Sequence, residues 1–195
     1  AVTRGASKAC VIVDMPYGSY QESPQQAYRN AAKVMRETQA QGIKLEGGLE
    51  MLDTVEFLVQ RGIPVMPHIG LMPQHANAQG GFKAQGRSKD DSELLVAQAK
   101  AFQGAGAFCL LVEGTFEKAA VAITRAVEIP TIGIGASSEC DGQVLVTEDV
   151  LGLFSDFRPK FAKRYVDLSS IIKEAFASYE QEVRDGDFPA KEHCF

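Results

Sequence analysis

Apolar residues come in five short runs along this chain, and each run ends in a polar or glycine-rich loop. They are ACVIVDMPYG (9–18), GIKLEGG (42–48), GIPVMPHIG (62–70), GAFCLLVEG (106–114) and IPTIGIGAS (129–137). Short segments that are β-branched or leucine-rich and flanked by Gly and Pro mark strands buried on both faces, as in a parallel sheet. Between the runs the apolar period lengthens to that of a helix. Pro24, behind the N-cap candidate Ser23, opens a helix in which Ala27, Ala31, Val34, Met35 and Thr38 share one face, with Gly42 as its stop. Leu52, Val55, Leu58 and Val59 predict a second helix before Gly62, and Leu95, Ala99 and Phe102 a third before Gly104 and Gly106. FEKAAVAITRAVEIP (116–130) predicts a fourth, and a longer helix carries Ile171, Ile172, Ala175, Phe176, Tyr179 and Val183 to an end near Gly186. Strand alternating with helix predicts an α/β fold around a mainly parallel sheet.

Composition narrows the class. The 195 residues are 45% hydrophobic and 23% charged, which suits a single domain over residues 1–195. A net charge of −5, with acids and bases interspersed, supplies no basic surface for nucleic acid. No apolar run approaches the ~18 residues of a membrane span, and no signal peptide is visible. Cys10, Cys109, Cys140 and Cys194 contain no CxxC pair. Cys10 and Cys109 lie inside apolar runs, where cysteine serves as a small buried hydrophobe, so all four read as structural thiols of a reducing, cytoplasmic compartment.

The chemistry lies at the strand ends. Parallel strands finish on the same side of a sheet, so residues distant in sequence meet there. Four successive runs end in ionisable groups: Asp14, Lys44 with Glu46, His68, and Glu113. Singly, each has a plain reading: a turn for Asp14, an ion pair for Lys44 and Glu46, a hydrogen-bonded core histidine for His68. Glu113 resists that reading, because it directly follows FCLLV and carboxylates are rarely buried without a partner. Gathered at one mouth, the four match a barrel active site better than an open doubly wound sheet, where fewer strand ends converge. Two carboxylates among further oxygen donors suit Mg²⁺, and the scattered histidines and cysteines argue against structural zinc. GFKAQGRS (81–88) nearly spells a phosphate-binding loop but carries Arg87 where lysine is required and follows no apolar strand. GIGAS holds only part of a dinucleotide fingerprint and reads instead as a place of close backbone approach. The basic run PKFAKRY (159–165) is either a solvated face or an anion-contacting loop.

In combination, DMPYGSY, KLEGG, PHIGLMPQ, GGFKAQGR, LLVEG, IPTIGIGAS with CDGQVLV, RPKFAKRY and FPAKEHCF strongly resemble the ketopantoate hydroxymethyltransferase family, in family order from residue 10 to the C-terminus. The resemblance implies a (β/α)8 TIM barrel of the phosphoenolpyruvate mutase and isocitrate lyase type, of which this chain carries about strands 3–8, and a homo-oligomer. It implies transfer of a one-carbon unit from 5,10-methylenetetrahydrofolate to 3-methyl-2-oxobutanoate through a Mg²⁺-stabilised enolate, yielding ketopantoate for pantothenate and coenzyme A synthesis. By the same resemblance Asp14 is a Mg²⁺ ligand that also meets the substrate, and Glu46 serves the metal directly or through water. Lys44 and His68 hold the carboxylate and carbonyl region of the oxo acid, and Glu113 is the catalytic base. The family's two earlier βα units, with a Gly-Asp-Ser motif, have no counterpart after Ala1. On that basis residues 1–195 alone are expected to leave open sheet edges, to associate through them and to show no transfer. The alternatives are a structural subunit without activity and a carbon–carbon lyase of the same superfamily. The lyase lacks support, because no KxCGH-like segment occurs.

Overall fold

A computed structural model describes residues 1–154 and 159–195. The chain divides into two compact units, Ala1–Val144 and Leu145–Phe195. After the short helix α1 (Val2–Gly5), the first unit runs β1 (Ile12–Asp14), α2 (Pro24–Thr38), β2 (Gly42–Glu46), α3 (Leu52–Val59), β3 (Val65–Gly70), α4 (Ala76–Gln79), α5 (Lys89–Gly104), β4 (Leu110–Glu113), α6 (Glu117–Ala126), β5 (Thr131–Ile134) and β6 (Gly142–Gln143). All strands are parallel, and they lie in the order β1-β2-β3-β4-β5-β6. A doubly wound sheet reverses its order at a switch point. Here it never reverses. The sheet is a curled, sequentially wound arc of the kind found in the wall of a (β/α) barrel.

Period-two alternation gives that arc two faces. One face carries Val13, Ile43, Leu45, Val65, Ile69, Leu110 and Val112. Except for Val13, these join Ala27 and Ala31 of α2, Val55 and Leu58 of α3, Leu95, Ala99 and Phe102 of α5, and Ala120 and Ile123 of α6 in one buried cluster. The other face carries Asp14, Lys44, Glu46, His68 and Glu113. In β2 all five residues are buried, charged and apolar alike.

Local signals explain most boundaries. Ser23 accepts from the Gln26 amide at 3.1 Å and Pro24 occupies the first turn of α2, as the sequence predicts. Ser88 and Asp91 close a reciprocal capping box on α5. The stop of α2 differs from the expectation. Gln39, at φ 60°, takes the left-handed cap, and Gly42 begins β2. Gly42 is needed there for another reason: an added Cβ would lie 3.0 Å from the Pro64 carbonyl oxygen and 3.3 Å from Phe108. Cys109 and Cys140 are buried, as expected of structural thiols. Cys10 is exposed, because strand pairing starts two residues later at Ile12.

In the second unit, α7 (Thr147–Leu151) ends at Gly152 in the left-handed region, and the Tyr165 amide donates to the Val150 carbonyl at 2.9 Å. Helix α8 (Leu168–Asp185) is capped by Asp167 and stopped by Gly186, where the sequence places its end. Its apolar residues Ile171, Ile172, Phe176, Tyr179 and Val183 are exposed. The Phe188 ring packs on both Tyr179 and His193. Of the RPKFAKRY segment, Arg158 lies outside the described residues. The Lys163 ammonium sits 4.8 Å from the Tyr165 ring centre.

Candidate active site

Strand register brings the predicted residues together. Asp14 pairs with Lys44, Glu46 with His68, and Gly70 with Glu113. Asp14, Glu46 and Glu113 are the last residues of β1, β2 and β4, as the sequence implies. His68 differs slightly, since β3 continues two residues further to Gly70.

Lys44 is the hub. Its Nζ lies 2.9 Å from Asp14 Oδ1, 3.6 Å from Glu46 Oε1 and 3.1 Å from His68 Nδ1. His68, almost fully buried, stands between the carboxylates: Nδ1 is 3.7 Å from Glu46 Oε1 and Nε2 is 3.4 Å from Glu113 Oε2. Burial, then the neighbouring Lys44 charge, pushes the His68 pKa down to about 3, so the ring is neutral near pH 7. The Glu113 carboxyl moves the other way, up to about 7. Burial is the main cause, helped by Glu46 and Asp14 and opposed by Lys44. A carboxylate poised near neutrality suits general acid–base work.

Sequence reasoning missed three participants. Tyr20, Gln74 and His75 come from the β1–α2 loop and the Pro73–His75 turn after β3. The Gln74 amide donates to Glu46 Oε2 at 2.9 Å, and its side-chain Nε2 donates to the Met15 carbonyl at 2.9 Å. The Tyr20 hydroxyl donates to Gln74 Oε1 at 2.6 Å and accepts from the Glu46 amide at 3.1 Å. Burial pushes the Tyr20 phenol up to about 12, which keeps it a hydroxyl. His75 Nδ1 lies 3.7 Å from Glu46 Oε2. Tyr20 and Gln74 stand in DMPYGSY and PHIGLMPQ, yet neither a period nor a charge distinguishes them.

In charge and donor type the cluster fits a hard divalent cation. Asp14 and Glu46 set two carboxylates against one ammonium, and 56% of the Asp14 side chain is exposed. No three acidic, histidine or cysteine side chains among the described residues enclose a cation by themselves. Mg²⁺ does not require that, since one or two carboxylates suffice when waters and substrate oxygens complete its octahedron. His68 Nε2 is buried without a hydrogen-bond partner among the described residues. Such a donor costs about 1–3 kcal/mol unsatisfied and is ready for a ligand oxygen.

Comparison with known proteins identifies the family. The chain is 72% identical over all its 195 residues to 3-methyl-2-oxobutanoate hydroxymethyltransferase 1 of Hahella chejuensis, covering 70% of that protein. It is 60% identical, again over its whole length and 70% of the relative, to the 3-methyl-2-oxobutanoate hydroxymethyltransferase of Rhodospirillum rubrum. A solved structure of a putative lyase/mutase from Burkholderia cenocepacia covers 91% of the chain and 61% of its own, at 15% identity. Its TM-score of 0.44 is too low to carry an argument. The family model for ketopantoate hydroxymethyltransferase matches residues 1–191, and the chain is an enzyme of that family.

Proposed function

We propose that this protein transfers a hydroxymethyl group from 5,10-methylenetetrahydrofolate to 3-methyl-2-oxobutanoate, giving ketopantoate, with Glu113 as the base that opens the reaction. The observation that carries this reading is the pairing of a carboxyl near pKa 7 with a neutral, unpartnered imidazole N–H on the same strand-end cluster. Family membership supplies the substrates, and the residues supply a route. Lys44, a compact point charge beside the exposed Asp14, receives the oxo-acid carboxylate. His68 Nε2–H donates to the oxygen of the reacting carbonyl. Glu113 removes the proton from C3, and the electron pair passes to the carbonyl oxygen as the enolate forms. C3 then bonds to the methylene carbon of the folate as that carbon's bonds to N5 and N10 break. Water supplies the hydroxyl oxygen, and tetrahydrofolate leaves with the C3 proton and one water proton on its two nitrogens.

Mg²⁺ belongs to this reading through Asp14 as ligand and Glu46. Both Glu46 oxygens already face protein donors, which favours its acting through water. When bound, the ion supplies Lewis-acid stabilisation of charge on the enolate oxygen. The strands described here would be strands 3–8 of a single (β/α)8 barrel domain, in a cytoplasmic homo-oligomer. Among the described residues no helix is long and apolar enough to cross a membrane.

The test is deuterium exchange at C3 of 3-methyl-2-oxobutanoate in heavy water with Mg²⁺. Glu113→Gln keeps the shape of the side chain but removes the acceptor, and should slow exchange by roughly 10²–10⁴-fold while the oxo acid still binds. Exchange at the wild-type rate in that variant would overturn the assignment.

A further inference from the structure

The Tyr20–Gln74 pair closes a ring of hydrogen bonds that no catalytic step above uses. The Glu46 N–H donates to the Tyr20 oxygen, and the Tyr20 O–H donates to Gln74 Oε1. The Gln74 N–H then returns to the Glu46 carboxylate, while Gln74 Nε2–H reaches across to the Met15 carbonyl. Met15 directly follows Asp14, and its own N–H is held by the Lys44 carbonyl at 2.9 Å. The ring therefore spans 26 residues from Tyr20 to Glu46 and 54 from Tyr20 to Gln74, and joins the ends of β1 and β2 to the turn after β3. Tyr20 is 1% exposed and Glu46 2%.

We infer that Gln74, locked by Tyr20, is a positioning residue that fixes the separation of the Asp14 and Glu46 carboxylates. The physical ground is that each of its three polar groups goes to a different anchor. Its amide hydrogen orients one Glu46 oxygen. Its side-chain NH₂ holds the Met15–Pro16 peptide, the second after Asp14. Its side-chain oxygen receives the tyrosine that holds the Glu46 backbone. A glutamine supplies donor and acceptor at one carboxamide, which neither glutamate nor leucine does. Partners of this kind, one shell behind the ligands, commonly change metal affinity or activity by 10–100-fold when removed. Neither Tyr20 nor Gln74 hydrogen-bonds to Glu113 or His68, so their loss should act first on binding of the cation and the oxo acid.

This role rests on the reading of Asp14 and Glu46 as a metal and oxo-acid site, and the experiment separates the two. Mn²⁺ titration followed by electron paramagnetic resonance, and calorimetric titration of 3-methyl-2-oxobutanoate with Mg²⁺, are run on wild type, Tyr20→Phe, Gln74→Ala and Gln74→Glu. Tyr20→Phe keeps the buried ring and guards against a variant that fails to fold, which thermal melts check. Expected are roughly 10-fold or greater losses of ion and oxo-acid affinity in Tyr20→Phe and in both Gln74 variants, and little further loss in the Tyr20→Phe/Gln74→Ala double variant. Wild-type affinities in the folded single variants, or fully additive losses, would overturn the positioning role. A wild type that binds neither ion nor oxo acid would overturn the site reading and this role with it.

Discussion

The Lys44 ammonium lies 3.1 Å from His68 Nδ1, and that contact sets the tautomer of the ring. An ammonium can only donate, so Nδ1 accepts and the ring proton sits on Nε2, which lies 3.4 Å from Glu113 Oε2 without a hydrogen bond to it. Lys44 therefore does more than attract an anion: it decides which way His68 presents its hydrogen, and its charge lowers the proton affinity of Glu113.

Lys44→Met removes both effects. The Glu113 carboxyl loses the cation that pulls its pKa down, so the pH midpoint of C3 exchange should rise above about 7. Oxo-acid affinity should fall at the same time. A pH–rate profile with an unmoved midpoint would show that Lys44 is not coupled to the base.

Glu113→Gln should stabilise the fold at alkaline pH while slowing exchange by roughly 10²–10⁴-fold. Burial raises the folded-state pKa from 4.5 to about 7, so the fold holds the proton more tightly than the unfolded chain. The stabilisation is fully present below about 4.5 and is lost as the pH rises through about 7. Its full size is on the order of 3 kcal/mol at most. Urea melts at pH 5 and pH 8 measure it. Wild type should lose stability between them relative to the variant, and parallel curves would contradict the buried carboxyl.

Asp14→Asn removes one charge from the exposed end of the cluster. On the proposed assignment of Asp14 to both ligands, Mg²⁺ and oxo-acid binding should weaken together. Calorimetry with and without a chelator is the check, and unchanged oxo-acid affinity would remove Asp14 from the site.

Gly70→Ala probes the seat of Glu113. At φ +94° a side chain is strained, by about 1–3 kcal/mol, and the new Cβ would meet the Glu113 carbonyl oxygen and Thr115 Oγ1 closer than real contacts allow. Gly62→Ala is the control, with φ +79° and nothing within 4 Å. Both variants should melt earlier, but only Gly70→Ala should also slow exchange.

The sequence made much of this visible because the chemistry sits at ends of apolar runs. Asp14, Glu46 and Glu113 close strands whose interiors are nearly all apolar, so their charge stands out. The sixth strand does not: Gly142–Gln143 has two residues and no run of its own. Cys10 belongs to an apolar stretch in sequence but lies ahead of the first paired residue, and no composition argument sees that. Tyr20, Gln74 and His75 were hidden for a deeper reason. Their roles arise from contacts across 26 to 59 residues, and an uncharged tyrosine or glutamine in a loop gives no local sign of such a contact. The stripe on α8 predicts a helix correctly, yet periodicity says nothing about what a stripe will face.

Strand β2 alternates Ile43 and Leu45 toward the helices with Lys44 and Glu46 toward the strand-end cluster. A one-residue slip while the sheet assembles would exchange the two sets. An ammonium and a carboxylate would then be driven in among Ala27, Ala31 and Leu58 with only each other for a partner, cut off from Asp14, His68 and the Gln74 amide, while two aliphatic side chains would be stranded against Asp14 and His68. Desolvation costs several kcal/mol per ion, and a buried pair stripped of its other hydrogen bonds does not recover it. The residues chosen for chemistry thus also proofread assembly, rejecting a misthreaded chain before any substrate arrives.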